Sequence, residues 1–219
     1  MNFNLQEALF KALQETLYMV SYSLLLSILV GGLIGLLLYI TTSTLFFKNV
    51  IVNQIFGVVV NILRSIPFII LLVLLLPITK VIVGTTIGPQ AVVVPLTVTA
   101  IAFYARLAQA AFAEVDNGVL EAASACGAHP LKIILGILLP EARVGLINGI
   151  TVTTISLIGY STMAGIVGGG GIGDLAVRYG YQRYETEVMF ICVIVLVVIV
   201  QFIQLVGDYA AKKSNRRQG

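Results

Sequence analysis

Long apolar runs separated by short polar stretches set the architecture of this chain. Residues 16–47, 144–173 and 188–207 contain no Asp, Glu, Lys or Arg. Each run, coiled at 1.5 Å per residue, is long enough to cross a hydrocarbon core about 30 Å thick. Two further crossings are less plain. The uncharged stretch 65–79 is too short by itself and must borrow residues 51–63, which draws Arg64 into the helix or to its end. A span over 91–113 has Pro95 near its start and Arg106 near its exit, where a long side chain snorkels to the headgroups. The predicted fold class is all-α integral membrane, with five transmembrane helices at about 17–40, 51–79, 91–113, 145–168 and 188–209. Leu5, Leu9 and Leu13, four apart, predict a short amphipathic helix in the membrane interface, so residues 1–15 are expected to form an external N-terminal segment.

Composition supports that class. Apolar residues make up 58% of the 219 and charged ones 11%, with a mean hydropathy of +1.02, far from the balance of soluble domains. A net charge of +3 is too small to suggest nucleic acid. Lys212, Lys213, Arg216 and Arg217 instead form a basic tail over 211–219, read as a cytoplasmic anchor against membrane lipid. Five spans put the termini on opposite sides. With the tail inside, Lys48, Arg106, Lys132, Arg143 and the four tail residues face the cytoplasm, against Lys11, Lys80, Arg178 and Arg183 outside. That bias obeys the positive-inside rule and sets the N-terminus outside. Glu7 and Glu15, with only Lys11 as a base among the first fifteen residues, argue against a cleavable signal peptide. Cys126 and Cys192 lie in a polar connection and an apolar span, which suggests free thiols.

The connection 114–143 is the most informative segment. Residues 121–140 read EAASACGAHPLKIILGILLP. Glu121, Ala122, Ala123 and Ala125 favour a thin helix, Gly127 suits the residue just past its end, and Pro130 suits the first position of another. Two short helices are therefore expected to meet at a bend. A thin helix with a leading carboxylate is shaped to lie in a partner's groove; the plainer reading is a loop helix packed on its own bundle.

The segment resembles the EAA motif of ABC importer permeases: Glu-Ala-Ala, three residues, Gly, nine residues, Ile, any residue, Leu-Pro. Glu121, Ala122, Ala123, Gly127, Ile137, Leu139 and Pro140 fill every position. Residues 164–184 (AGIVGGGGIGDLAVRYGYQRY) and 61–72 (NILRSIPFIILL), with the five-span length, are similar to the methionine-importer branch of type I ABC permeases. The resemblance covers nearly the whole chain. It implies a type I permease domain over 16–210 and a coupling helix that docks on a cytoplasmic ATPase homodimer. It also implies a second copy of this chain and an external substrate-binding protein, in the bacterial inner membrane. By the same resemblance, methionine, as the L form with the D form a further candidate, passes by alternating access. ATP and Mg belong to the partner ATPase, and no cofactor or metal is expected in this chain.

Other motifs carry less. Gly168, Gly170 and Gly173 spell G-x-G-x-x-G, but no strand precedes them and they close a span. With Gly169, Gly171 and Asp174 they are read as a flexible external mouth, Asp174 capping the segment after it. The chain has no G-x-x-x-x-G-K-[ST] pattern, so it is not expected to hydrolyse ATP or act as an enzyme. His129, the only histidine, reads as a solvent-facing turn residue. Gly31 with Gly35, Gly145 with Gly149 and Gly165 with Gly169 are small pairs that suit tight helix packing. Arg64, Tyr160, Ser161 and Met163 are the pore or gate candidates. Arg64 either contacts substrate or snorkels. Met163, one bulky flexible side chain among small ones, either meets its copy across a dimer axis or merely packs. A permease for another small amino acid or osmolyte is the competing function. A secondary transporter or channel fits less well, since only Arg64 is a mid-membrane ion-coupling candidate and no repeat is evident.

Overall fold

In the computed structural model, which describes residues 5–215, every regular element is a helix. The helices are α1 (Leu5–Thr42), α2 (Val50–Ser65), α3 (Phe68–Val83), α4 (Pro89–Ala113), α5 (Asn117–Ala125), α6 (Pro130–Ile166), α7 (Gly171–Leu175) and α8 (Thr186–Asn215). Single π turns interrupt α1 at Ser27–Gly31 and α6 at Ile134–Leu138, and a third, Ala176–Tyr181, continues α7. Among the described residues, α1, α4, α6 and α8 are each long and apolar enough to cross a membrane, and α2 with α3 form a fifth, bent candidate.

Packing defines two ends of the bundle. At one, the start of α1 packs against Ile172, Leu175 and Val188, and the Gly88 amide donates to the Gly168 carbonyl at 3.0 Å. At the other, Tyr39 and Phe112 cluster with Leu120, Ile133 and Leu138. There the Asn53 amide nitrogen donates to Leu38 O and to the Thr41 and Thr42 hydroxyls, at 2.8, 3.0 and 2.8 Å. The chain passes between these ends five times, so the described termini lie at opposite ends. Large apolar side chains such as Leu33, Leu74, Val81, Val198, Phe202 and Leu205 point outward, a surface suited to lipid.

α4 is the hub. A Cβ on Gly35 would lie 2.6 Å from Ala105 O and 2.7 Å from Ala108 Cβ, so only glycine lets α1 approach α4 this closely. The expected Gly145 contact is similar, 2.7 Å to Ala111 Cβ, whereas Gly169 packs within the turn after α6, against Ala164 O at 2.7 Å.

Several expectations change. The segment 5–15 is not a separate helix but the start of α1, since the α-helical ladder runs unbroken from Leu5 to Leu26; residues 1–4 lie outside the described part. The second span is not one straight helix. It breaks between Ser65 and Phe68, because Pro67 lacks an N–H and holds Ile66 in an extended conformation, and the two halves meet at 111°. The fourth and fifth spans are longer than expected, and Lys212 and Lys213 belong to α8. Arg216 and Arg217 lie outside the described residues.

Candidate functional site

The polar connection 114–143 folds as the turn chemistry requires. Asp116 Oδ1 accepts from the Gly118 amide at 2.8 Å and starts α5. α5 ends at Ala125 and is stopped by Gly127 just past its cap, Cys126; the φ of +81° at Gly127 lies in the left-handed region. The Gly127 amide donates to Ser124 O at 2.9 Å and the Ala128 amide to Ala123 O at 3.2 Å, the paired bonds of a Schellman stop. His129 is exposed, and its Nδ1 accepts from the Leu131 amide at 3.3 Å, so it caps α6 with Pro130 in first position. The expected bend is present. The second short helix, however, is not separate: it runs through the π turn at Ile134–Leu138 into the long α6. That wide turn accommodates Pro140, which cannot donate to a carbonyl one turn back.

Leu120 is fully buried and fastens α5 to the bundle, while Glu121, Ala122, Ala125 and Gly127 are exposed. Not all of the thin helix faces outward: Ala123 is half-buried and packs, like Ile137 and Leu139, against the bundle, so Ala122 and not Ala123 contributes to the outward face. Pro140 is exposed. Glu121 lines a recess of about 360 Å³ with Tyr39, Thr42 and Gln109.

At the opposite end, Gly168, Gly170 and Gly171 have φ of +82°, +78° and +80°. The glycine-rich segment, expected to be flexible, is tied to α1. Glu15 Oε2 accepts from the Gly171 amide at 2.8 Å, and Thr16 Oγ1 accepts from the Ile172 amide at 2.9 Å. Two side chains of α1 thus satisfy the first N–H groups of α7 across 156 residues of sequence. Asp174 does not cap α7; it pairs with Arg178 one turn on. The carboxylate beside it holds Arg178 still further in its charged form. Gly173 packs against the Thr162 backbone, where no Cβ fits. Lys11, Glu15, Asp174, Arg178 and Tyr179 line a cavity of about 320 Å³ here.

The pore candidates separate. Ser161 is 2% exposed and its hydroxyl donates to Ile158 O at 2.8 Å, so it faces its own bundle. Met163 is 45% exposed and falls on an outward stripe of α6 with Asn148, Val152 and Gly159, spaced four, seven and four. Half-buried Tyr160 stacks on Phe68, the first residue of α3, with centroids 5.0 Å apart. Arg64 is exposed in the last turn of α2. Arg106 does not simply snorkel: its guanidinium donates to Asn61 Oδ1 and Gln109 Oε1, both at 2.7 Å. Sequence reasoning missed Glu15, Thr16 and Asn61. Their partners are too distant in sequence for local spacing to signal them, although Glu15 and Asn61 were visible as polar residues flanking or entering apolar runs.

An all-helical bundle with up to five candidate membrane crossings and a partly exposed short helix at one end defines a multi-pass membrane protein. The chain belongs to the family of binding-protein-dependent transport system inner membrane components, whose pattern matches residues 27–218. It is a permease subunit of an ABC importer, a transport component and not an enzyme. The probable D-methionine transport system permease protein MetI of Vibrio cholerae is 45% identical over 96% of this chain and 94% of its own length. The methionine import system permease protein MetP of Bacillus subtilis is 45% identical over 99% and 97%. An inward-facing structure of the MetNI methionine ABC transporter superposes with a TM-score of 0.89 at 45% identity, over 92% of this chain and 93% of that one. An amino acid ABC transporter crystallised with histidines shares the fold, with a TM-score of 0.79 at 17% identity over 97% of this chain and all of that one.

Proposed function

We propose that this chain forms, with a second copy of itself, the pathway by which methionine enters the cell. A separate ATPase homodimer drives alternating access, and an external binding protein supplies the substrate. The observation that carries this reading is 45% identity, sustained over 96% of the chain, to a relative named for D-methionine transport. The exposed α5 face supports docking of the ATPase there, through Glu121, Ala122 and Gly127, with Ile137, Leu139 and Pro140 in the first turns of α6 supporting it from behind. The ATPase holds ATP and Mg, and this chain holds neither. In proteoliposomes the purified chain alone is expected to move no methionine, and adding the ATPase, binding protein and ATP should start uptake. ATP-independent uptake by the chain alone would instead identify a channel or secondary transporter.

The charge bias supports an orientation with the α5 end in the cytoplasm, the glycine-rich end outside and the lysines of α8 inside. Cys126 is exposed, so labelling starts from a Cys126→Ser background. Lys11→Cys should react with an impermeant maleimide on intact cells, and Ser214→Cys should react only after lysis; the reverse pattern overturns the orientation.

Met163 is the proposed constriction, because its exposed place on the α6 stripe lets two copies meet across a dimer axis. Met163→Ala should leak small solutes from vesicles in the absence of ATP. A mutant as tight as wild type returns Met163 to simple packing.

A further inference from the structure

Polar side chains inside the membrane zone have no role in the docking segment or the glycine-rich mouth. Arg106 lies seven residues before the end of α4 at Ala113, about 10 Å in from that end of the helix. Its hydrogen-bond acceptors, Asn61 Oδ1 and Gln109 Oε1, are neutral amides, so its charge is not compensated by them. Among the described residues, the ion pairs Lys11–Glu15 and Arg178–Asp174 include neither Arg106 nor Arg64. With its oxygen engaged, Asn61 retains amide hydrogens to donate. Arg64 follows three residues later on the same face of α2 and is exposed. Two guanidiniums and an amide thus form a donor-rich group matched to a planar carboxylate.

The surroundings point the same way. Immediately after Arg64 the helix breaks and turns by 111°. Non-helical backbone at membrane depth persists only where protein buries it or where it lines a water-filled cavity, and broken helices build the substrate sites of many transporters. Charged side chains at that depth face the same kinds of place. Just past the break, Phe68 stacks on Tyr160, which adjoins the exposed Gly159 and lies three residues before Met163. Phe68 thus ties the far side of the break to α6, while Arg106 of α4 reaches Asn61 on the near side. Arg64 also lies one turn further than Asn61 from the α2 end that is tied to Thr41 and Thr42, away from headgroup level.

We propose that Asn61, Arg64 and Arg106 form an intramembrane subsite that binds the carboxylate of the amino acid substrate at the break in the second span. This rests on the reading of the chain as an amino acid importer permease. The test uses the permease–ATPase complex in phosphatidylcholine nanodiscs without binding protein, and radiolabelled methionine as probe. Saturable binding is expected, with competition by unlabelled methionine but not by methioninol, which lacks the carboxylate. Arg64→Gln and Arg106→Gln should each weaken binding by about tenfold or more, and Arg64→Lys by less. Each variant is first checked for wild-type elution and copurification with the ATPase, and Arg64→Lys separates loss of charge from loss of fold. No saturable binding to the wild-type complex, equal competition by methioninol, or Arg64→Gln binding like wild type overturns the subsite. Loss of copurifying anionic phospholipid from Arg64→Gln with methionine binding unchanged also overturns it and assigns a lipid contact instead. Uptake by the wild-type complex with its binding protein is measured in parallel, so a failed subsite with intact methionine import leaves the importer reading standing.

Discussion

Gly127→Val is expected to abolish ATP-driven uptake while the protein still inserts at normal levels. Gly127 has a φ of +81° and nothing within 4 Å of the position a Cβ would take, so the harm comes from the backbone and not from a clash. A β-branched residue resists that conformation by roughly 1–2 kcal/mol. Relaxing it breaks the bonds from Gly127 and Ala128 to the last carbonyls of α5, and the angle between α5 and α6 is lost. Because α6 runs on through its π turn into the fourth span, that angle would carry motion from a docked ATPase to the membrane in the proposed coupling. Gly136→Ala is the control, since Gly136 also has open space beside it but an ordinary φ. Ala122→Trp should block docking from outside, as Ala122 is exposed. Ala123→Trp would disturb the chain's own packing as well and is the poorer probe. Glu121→Ala should weaken ATPase association less than the bulky change. If Gly127→Val and Ala122→Trp both sustained wild-type uptake and copurified with the ATPase, the coupling assignment would be wrong.

Features that depend on near neighbours along the chain are legible in its sequence. The Gly127 stop and the Pro130 start depend on residues within five positions, and both form where turn chemistry puts them. The apolar runs become the long helices for the same reason. Features that depend on contacts across the bundle are not legible in this way. Pro67 marks a boundary, but nothing local fixes a 111° turn at Ser65–Phe68; that needs Phe68 to find Tyr160 and Asn61 to find Arg106. Ser161 and Met163 are two residues apart on one helix, and only the bundle decides that the first turns inward and the second outward. The glycine run likewise suggests looseness when read alone, because its restraints come from α1.

Those restraints carry the last expectation. Replacing Glu15 by Ala and Thr16 by Val together should destabilise the glycine-rich end and expose its small core. Each change strips the acceptor from a backbone N–H, of Gly171 and of Ile172, and a buried unsatisfied donor costs about 1–3 kcal/mol. Ile172 and its hydroxyl partner are both buried, so water does not readily replace the lost bond at that position. Cys192 reports the outcome without engineering, because it is buried in the cluster formed by Ala12, Ile172, Leu175 and Val188. In a Cys126→Ser background, a small maleimide should modify Cys192 slowly in the parent and markedly faster in the double variant, with a lower thermal midpoint. Thr16→Val alone nearly preserves side-chain volume and should give an intermediate rate, which separates the lost hydrogen bond from lost packing. Unchanged labelling and an unchanged midpoint in the double variant would mean that α7 is held by its glycine contacts to α6 alone, and that α1 takes no part in shaping this end of the permease.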